Sequence, residues 1–212
     1  RYQTIRRETY SAVIADVLDS HGRRNQILSP AIRPLWPDAA LFGRARTILV
    51  RDVTRASSNP YEVEFSLVDD LKPGDVIIAE CGTAEAAFWG ELLSTAAQNH
   101  SAHGAVIDGY CRDVMKVRSM EFPVFARGMS PADSQGRCEA VSRDVPVRCG
   151  GVAVSPGDLV FGDFDGIVVI PADIADEVVA GALEKVRGER TVYNALRSGM
   201  TAREAYDRWG IL

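Results

Sequence analysis

Residues 89–114 read WGELLSTAAQNHSAHGAVIDGYCRDV. An apolar turn leads through a helical stretch into GAVIDGY (104–110), which is short, apolar and rich in β-branched residues, as a buried strand is. If that strand is parallel to its neighbours, the segment belongs to an α/β sheet, and such sheets present ligands at the carboxyl ends of their strands. At that end Arg112 and Asp113 stand side by side, just after a Gly109 turn signal, with Glu91 at the opposite end of the segment.

Hydrophobic period extends the reading outward. Tyr10, Val13, Ile14, Val17 and Leu18 recur at helical spacing, predicting one amphipathic helix over 7–21 that stops at Gly22. A Pro-punctuated segment (29–40) precedes LFGRARTILVRDV (41–53), a strand, and GDVIIAE (74–80) is the next. PGDVIIAE (73–80) returns as PGDLVFGD (156–163), a hairpin-like device used twice and too few times for a solenoid. FPVFARG (122–128), VRCGGVAV (147–154) and DGIVVIP (165–171) continue the strands. Pro171 opens a helix running to about Arg187, and a last helix starts at Thr201, whose spacing to Glu204 makes a capping box, and ends before Gly210. The expected architecture is α/β: helices at both ends around a mixed β middle, in one domain spanning 1–212.

Composition excludes several function classes. A chain of 212 residues, 46% hydrophobic, is long enough to bury a core without staples. Its formal charge of −5 opposes a phosphate-binding face, so no nucleic-acid partner is expected. No run reaches the roughly 20 apolar residues of a membrane span, and RYQTIRRETY at the start lacks a signal-peptide core, so the expected place is the cytoplasm, without membrane contact. Because the chain opens on Arg1 and not on Met, a few preceding residues are expected.

The segment 89–114 also carries chemistry. Gly inside a helix costs roughly 1 kcal/mol relative to Ala and little at a helix start, so the helix begins near Gly90. Its first amides, including those of Leu92 and Leu93, then lack intrahelical acceptors and suit a carboxylate or phosphate. Arg112 supplies a permanently charged planar fork, and Asp113 an acceptor pair able to hold a hard cation. From charge types alone, a solvated Arg–Asp loop pair explains the dipeptide equally well.

The spacing resolves this by resemblance. An acidic residue, twenty intervening residues and then Arg-Asp is the pattern of the class II pyruvate aldolases that cleave 4-hydroxy-4-methyl-2-oxoglutarate and 4-carboxy-4-hydroxy-2-oxoadipate, and Glu91 with Arg112-Asp113 meets it. Their superfamily includes the regulator of ribonuclease E activity and proteins once labelled demethylmenaquinone methyltransferases. IADVLDSHG (14–22), ECGTAEAAFWGELL (80–93), CGGVAVSPGDLVFGDFDGIVVIP (149–171) and LRSGMTAREAYDRWGIL (196–212) extend the resemblance over nearly the whole chain.

The resemblance implies a swivelling β/β/α fold and a homotrimer or homohexamer with sites at subunit interfaces. It implies Asp113 as direct ligand of Mg²⁺ or Mn²⁺, and Glu91, where many relatives have Asp, as holder of metal-bound water. Arg112 would contact the keto oxygen of a small 2-oxo acid substrate, and the amides after Gly90, those of Leu92 and Leu93, its carboxylate. A glutamate from a neighbouring subunit's carboxyl-terminal helix completes the set; Glu189 is the candidate, with Glu184 nearby. The implied reaction is metal-dependent retro-aldol cleavage of a 4-hydroxy-2-oxo di- or tricarboxylic acid to pyruvate, with oxaloacetate decarboxylation as a side activity. The alternatives are a regulator that binds a ribonuclease without chemistry and a lyase of the same superfamily with another substrate.

Other features read plainly. The chain has only three lysines, Lys72, Lys116 and Lys185, in polar turns or charged helical contexts, which disfavours an imine mechanism. The four cysteines contain no C-x-x-C pair and read as buried thiols; His100, His103 and Cys111 are better read as a helix end than as a zinc site. ECGTAEA lacks a phosphate-loop pattern, and GDFDG (162–166) lacks the rest of a calcium loop. Trp89 reads as a wall of the site or as a core or interface residue.

Overall fold

The computed structural model describes residues 2–211. Helices α1 (Tyr2–Glu8) and α2 (Ser11–Ser20) lead to strands β1 (Arg33–Pro34) and β2 (Leu41–Asp52). The middle runs α3 (Glu62–Asp69), β3 (Asp75–Glu80), β4 (Ala87–Trp89), α4 (Glu91–Asn99), β5 (Gly104–Cys111), α5 (Val114–Ser119) and β6 (Val124–Met129). Strands β7 (Cys138–Arg143), β8 (Val147–Cys149), β9 (Val152–Val154), β10 (Leu159–Gly162) and β11 (Ile167–Ile170) follow, then α6 (Ala175–Arg197) and α7 (Ala202–Trp209).

One mixed sheet has the order β1-β6-β5-β3-β2-β10-β11, with β4 added to β5 and β7 to β2. Strands β2, β3, β5 and β6 are mutually parallel, whereas β1, β7, β10 and β11 join antiparallel. The parallel centre explains why GAVIDGY is apolar but for Asp108, whose carboxylate accepts from Gly150 N at 2.8 Å: β3 and β5 are buried almost end to end, on both faces. Leu67 and Val68 of α3, Ala97 of α4 and Val117 of α5 join the larger core, while α1, α2 and α6 close a second one around Phe42 and Phe161.

Several expectations change in detail. The single helix over 7–21 is two helices, broken where Tyr10 adopts extended backbone. The break lets Ser11 donate its backbone N–H and its hydroxyl to the Asp163 carboxylate at 2.8 and 2.7 Å, replacing partners that a helix start lacks. VRCGGVAV is not one strand but the hairpin β8–β9, because Gly150 and Gly151 both take positive φ (54° and 85°), as a two-residue type I′ turn requires. Gly109 is no turn; it lies within β5, where a Cβ would come within 2.9 Å of Cys81 Cβ.

The repeated Pro-Gly-Asp device is real as a turn, since Asp75 accepts from Lys72 N and Asp158 from Ser155 N, each at 2.8 Å. Only the second copy feeds a hairpin; β3 instead enters the parallel centre. The helix after Pro171 begins one short 3₁₀ turn later and continues to Arg197, and α7 carries the expected Thr201–Glu204 capping box.

Candidate active site

Strand β4 delivers the chain to the start of α4 beside the carboxyl end of β5, so two segments distant in sequence meet there. Gly90 caps α4 in extended backbone that any residue could adopt; space, not conformation, demands glycine. A Cβ there would lie 3.0 Å from Asp113 Oδ2 and 3.1 Å from Arg112 Cγ. Gly90 has no side chain with which to cap α4; Asp113 Oδ2 takes the Glu91 N–H at 3.4 Å, and the first intrahelical acceptor, Gly90 O, takes Ser94 N at 3.1 Å, which leaves the Leu92 and Leu93 amides without intrahelical partners. Trp89 is buried and fastens the corner by donating Nε1–H to Ser94 Oγ at 2.9 Å, while Ser94 Oγ donates to Gly90 O at 2.8 Å.

Arg112 is held by its backbone N–H, which donates to Trp89 O at 2.9 Å. Its guanidinium lies between two carboxylates: Nε is 3.8 Å from Asp113 Oδ2 and Nη1 is 3.6 Å from Asp133 Oδ1. Asp113 heads α5 with φ 57° and ψ 27°, a left-handed conformation that costs a non-glycine residue energy and is concentrated at functional positions. The Glu91 carboxylate accepts from Lys116 Nζ at 2.8 Å, and that contact pushes the lysine's pKa up.

Gly90, Glu91, Leu92, Leu93, Arg112 and Asp113 all line one cavity of about 250 Å³. Glu189 does not line it; on α6 its carboxylate accepts from the Tyr10 hydroxyl, whose pKa burial and that contact push up to about 12. Trp89 is both core and cavity wall. The residues missed in the sequence are those contributed by α3 and by the loop before β7: Tyr61, Glu64, Phe65, Asp133 and Ser134. One signal was available, since Glu64 occupies the helical face of Leu67 and Val68, where an apolar residue belongs.

Glu64 is 3% exposed, and its Oε2 has no hydrogen-bond partner among the described residues. Burial, with Glu139 and Asp133 close by, raises its carboxyl to about 7.

Among the described residues no three His, Cys, Asp or Glu side chains converge as a metal cage. Asp113 and Glu91 on one cavity nevertheless fit Mg²⁺ or Mn²⁺: such ions accept one or two protein carboxylates and complete their shell with water and substrate. His103 Nδ1 is engaged with Phe42 O at 2.8 Å, away from any such set. No helix among the described residues is long and apolar enough to cross a membrane.

Fold and cavity together define a mixed α/β protein whose carboxylate–guanidinium site is built where a parallel strand ends against a helix start. The chain belongs to the RraA-like family: the model described as Aldolase/RraA matches residues 11–169. A Halalkalibacterium halodurans protein named "Putative 4-hydroxy-4-methyl-2-oxoglutarate aldolase" is 33% identical over 194 residues, covering 91% of this chain and 87% of its own. Protein DlpA of Legionella pneumophila is 31% identical over 198 residues; these are 92% of this chain but span only 31% of that protein's length. Among solved structures, Streptomyces coelicolor RraAS2, described as an unusual member of the RNase ES inhibitor RraA protein family, superposes with TM-score 0.77 at 29% identity, covering 89% of this chain and 94% of its own.

Proposed function

We propose that this protein is a divalent-metal-dependent carbon–carbon lyase that cleaves a 4-hydroxy-2-oxo acid and releases pyruvate. The observation that carries the reading is the convergence of Leu92 and Leu93, whose amides lack intrahelical partners, with Arg112 and Asp113 on one cavity. The relatives named as aldolases support it, and their named compound, the dicarboxylic 4-hydroxy-4-methyl-2-oxoglutarate, is the first substrate to test.

Asp113, with Glu91 through water, would hold Mg²⁺ or Mn²⁺, which when bound supplies Lewis-acid polarisation of the keto group. The Leu92 and Leu93 amides orient the substrate's carboxylate at the positive end of α4. Arg112 faces the keto oxygen, where negative charge grows as the C3–C4 bond breaks and its electron pair moves to C3. The 4-hydroxyl gives up its proton to water held by Glu91 and becomes the carbonyl of the second product; C3 then takes a proton to give pyruvate. Oxaloacetate decarboxylation passes through the same enolate and is the expected side activity. Glu189 is the candidate acid offered to a neighbouring copy's site, which requires an oligomer, by the family resemblance a trimer or hexamer.

The competing reading, a ribonuclease regulator without chemistry, rests on kinship with the RNase ES inhibitor family. Pyruvate release coupled to lactate dehydrogenase separates the two. Chelator-stripped protein should turn over 4-hydroxy-4-methyl-2-oxoglutarate or oxaloacetate only with added Mg²⁺ or Mn²⁺; folded, metal-binding protein inert toward all 4-hydroxy-2-oxo acids would favour the regulator.

A further inference from the structure

We propose that Glu64 is a specificity-determining residue that hydrogen-bonds a hydroxyl on the substrate's tail, so that this cavity prefers 2-oxo acids ending in a hydroxyl over those ending in a second carboxylate. The proposal rests on the preceding reading of the oxo-acid head and names what the rest of the cavity selects.

Three observations support it. First, Glu64 lines the same cavity as Arg112 and Asp113, on the wall built by α3, and is 3% exposed with Oε2 unpartnered among the described residues. A buried polar atom of this kind calls for a hydrogen-bonding group, and the cavity is where a ligand can bring one.

Second, Arg112 is the only cation among the described residues lining the cavity, and it already lies 3.8 Å from Asp113 and 3.6 Å from Asp133. The tail wall is acidic, with Asp133 lining the cavity beside Glu64, and Glu139 lining a small adjoining cavity that Glu64 shares. Within one copy, a second substrate carboxylate would be desolvated against like charge, with no cation lining the cavity besides Arg112 among the described residues.

Third, a hydroxyl both donates and accepts, so it satisfies Glu64 whether the acid is neutral or ionised. Because burial holds that carboxyl near 7, both forms are present at neutral pH. Phe65 and Leu92 give the intervening carbons apolar walls. The favoured class is therefore the 4-hydroxy-2-oxo acids with hydroxylated tails, of the 2-oxo-3-deoxy sugar acid type.

The test uses two ligands that differ only in the tail and lack the 4-hydroxyl, so neither undergoes retro-aldol cleavage: 5-hydroxy-2-oxopentanoate and 2-oxoglutarate. Binding is measured by calorimetry on the full chain with Mg²⁺, with pyruvate as the head-only control. The hydroxyl-tailed ligand should bind at least about tenfold more tightly than 2-oxoglutarate. The preference should collapse in Glu64→Leu and survive in part in Glu64→Gln, whose amide keeps hydrogen-bonding capacity and which serves alone if the leucine variant does not fold. Equal or tighter binding of 2-oxoglutarate, or a preference unchanged in the variants, overturns the proposal while the head reading stands. If pyruvate itself does not bind, the head reading fails and the proposal with it.

Discussion

Asp113 Oδ2 lies 3.4 Å from the backbone nitrogen of Glu91, joining the end of β5 to the start of α4 across 22 residues of sequence. Gly90 makes this approach possible, since any Cβ there would sit 3.0 Å from that same oxygen. Gly90→Ala has no backbone strain to relieve or create, because Gly90 is extended. It should therefore leave the melting temperature near wild type and lower pyruvate release by roughly tenfold or more through misplacement of Asp113 and Arg112. Full activity in this variant would show that the close approach is incidental.

Asp113 must satisfy both a left-handed backbone and a negative charge. Asn tolerates that backbone better than Ala, so Asp113→Asn isolates the charge. Asp113→Asn should unfold at nearly the wild-type temperature yet lose metal-stimulated turnover by about a hundredfold or more, whereas Asp113→Ala should also lose about 1 kcal/mol of stability to backbone strain. Metal titration by calorimetry checks the first variant: wild-type affinity for Mn²⁺ there would remove Asp113 from the ligand set.

The four cysteines are free, and burial is the first cause of every raised thiol pKa: Cys111 to about 12, Cys138 to about 11, with Cys81 and Cys149 also pushed well up. Thiolate is the reactive form, so all four should resist Ellman's reagent at pH 8 until denaturant is added. Cys111 immediately precedes Arg112, yet iodoacetamide at neutral pH should leave activity unchanged. Rapid stoichiometric labelling of native protein would contradict this.

The parallel centre was legible because strands buried on both faces carry unbroken apolar runs, as VIIA (76–79) and GAVI (104–107) do. The start of α4 was legible because Gly90 is costly anywhere else in a helix. The hairpin at Gly150–Gly151 was not, since only the positive φ of both residues distinguishes a turn from a glycine-containing strand. Helices α3 and α5, of 8 and 6 residues, are too short for a 3.6-residue period to stand out. One wall of the cavity was hidden for a different reason: Glu64 and Asp133 reach it through tertiary packing, and no local spacing links either to Arg112.

Glu64 makes a prediction about stability as well as binding. Its carboxyl is raised from an ordinary 4.5 to about 7, first by burial and then by Glu139 and Asp133; Cys138 on β7, itself raised to about 11, stays neutral in this range. The native state therefore binds more protons than the unfolded state between those values, so this residue's contribution to stability falls as pH rises from 4.5 through 7. The full shift corresponds to about 3 kcal/mol, fully expressed only above pH 7. Glu64→Gln removes the titration and keeps the shape. Its melting temperature should match wild type near pH 4.5 and exceed it by roughly 6–12 °C at pH 8, read from thermal scans at a series of pH values. A difference that is the same at both ends of the series would mean that the carboxyl ionises freely, and that the burial of Glu64 is relieved by solvent in solution.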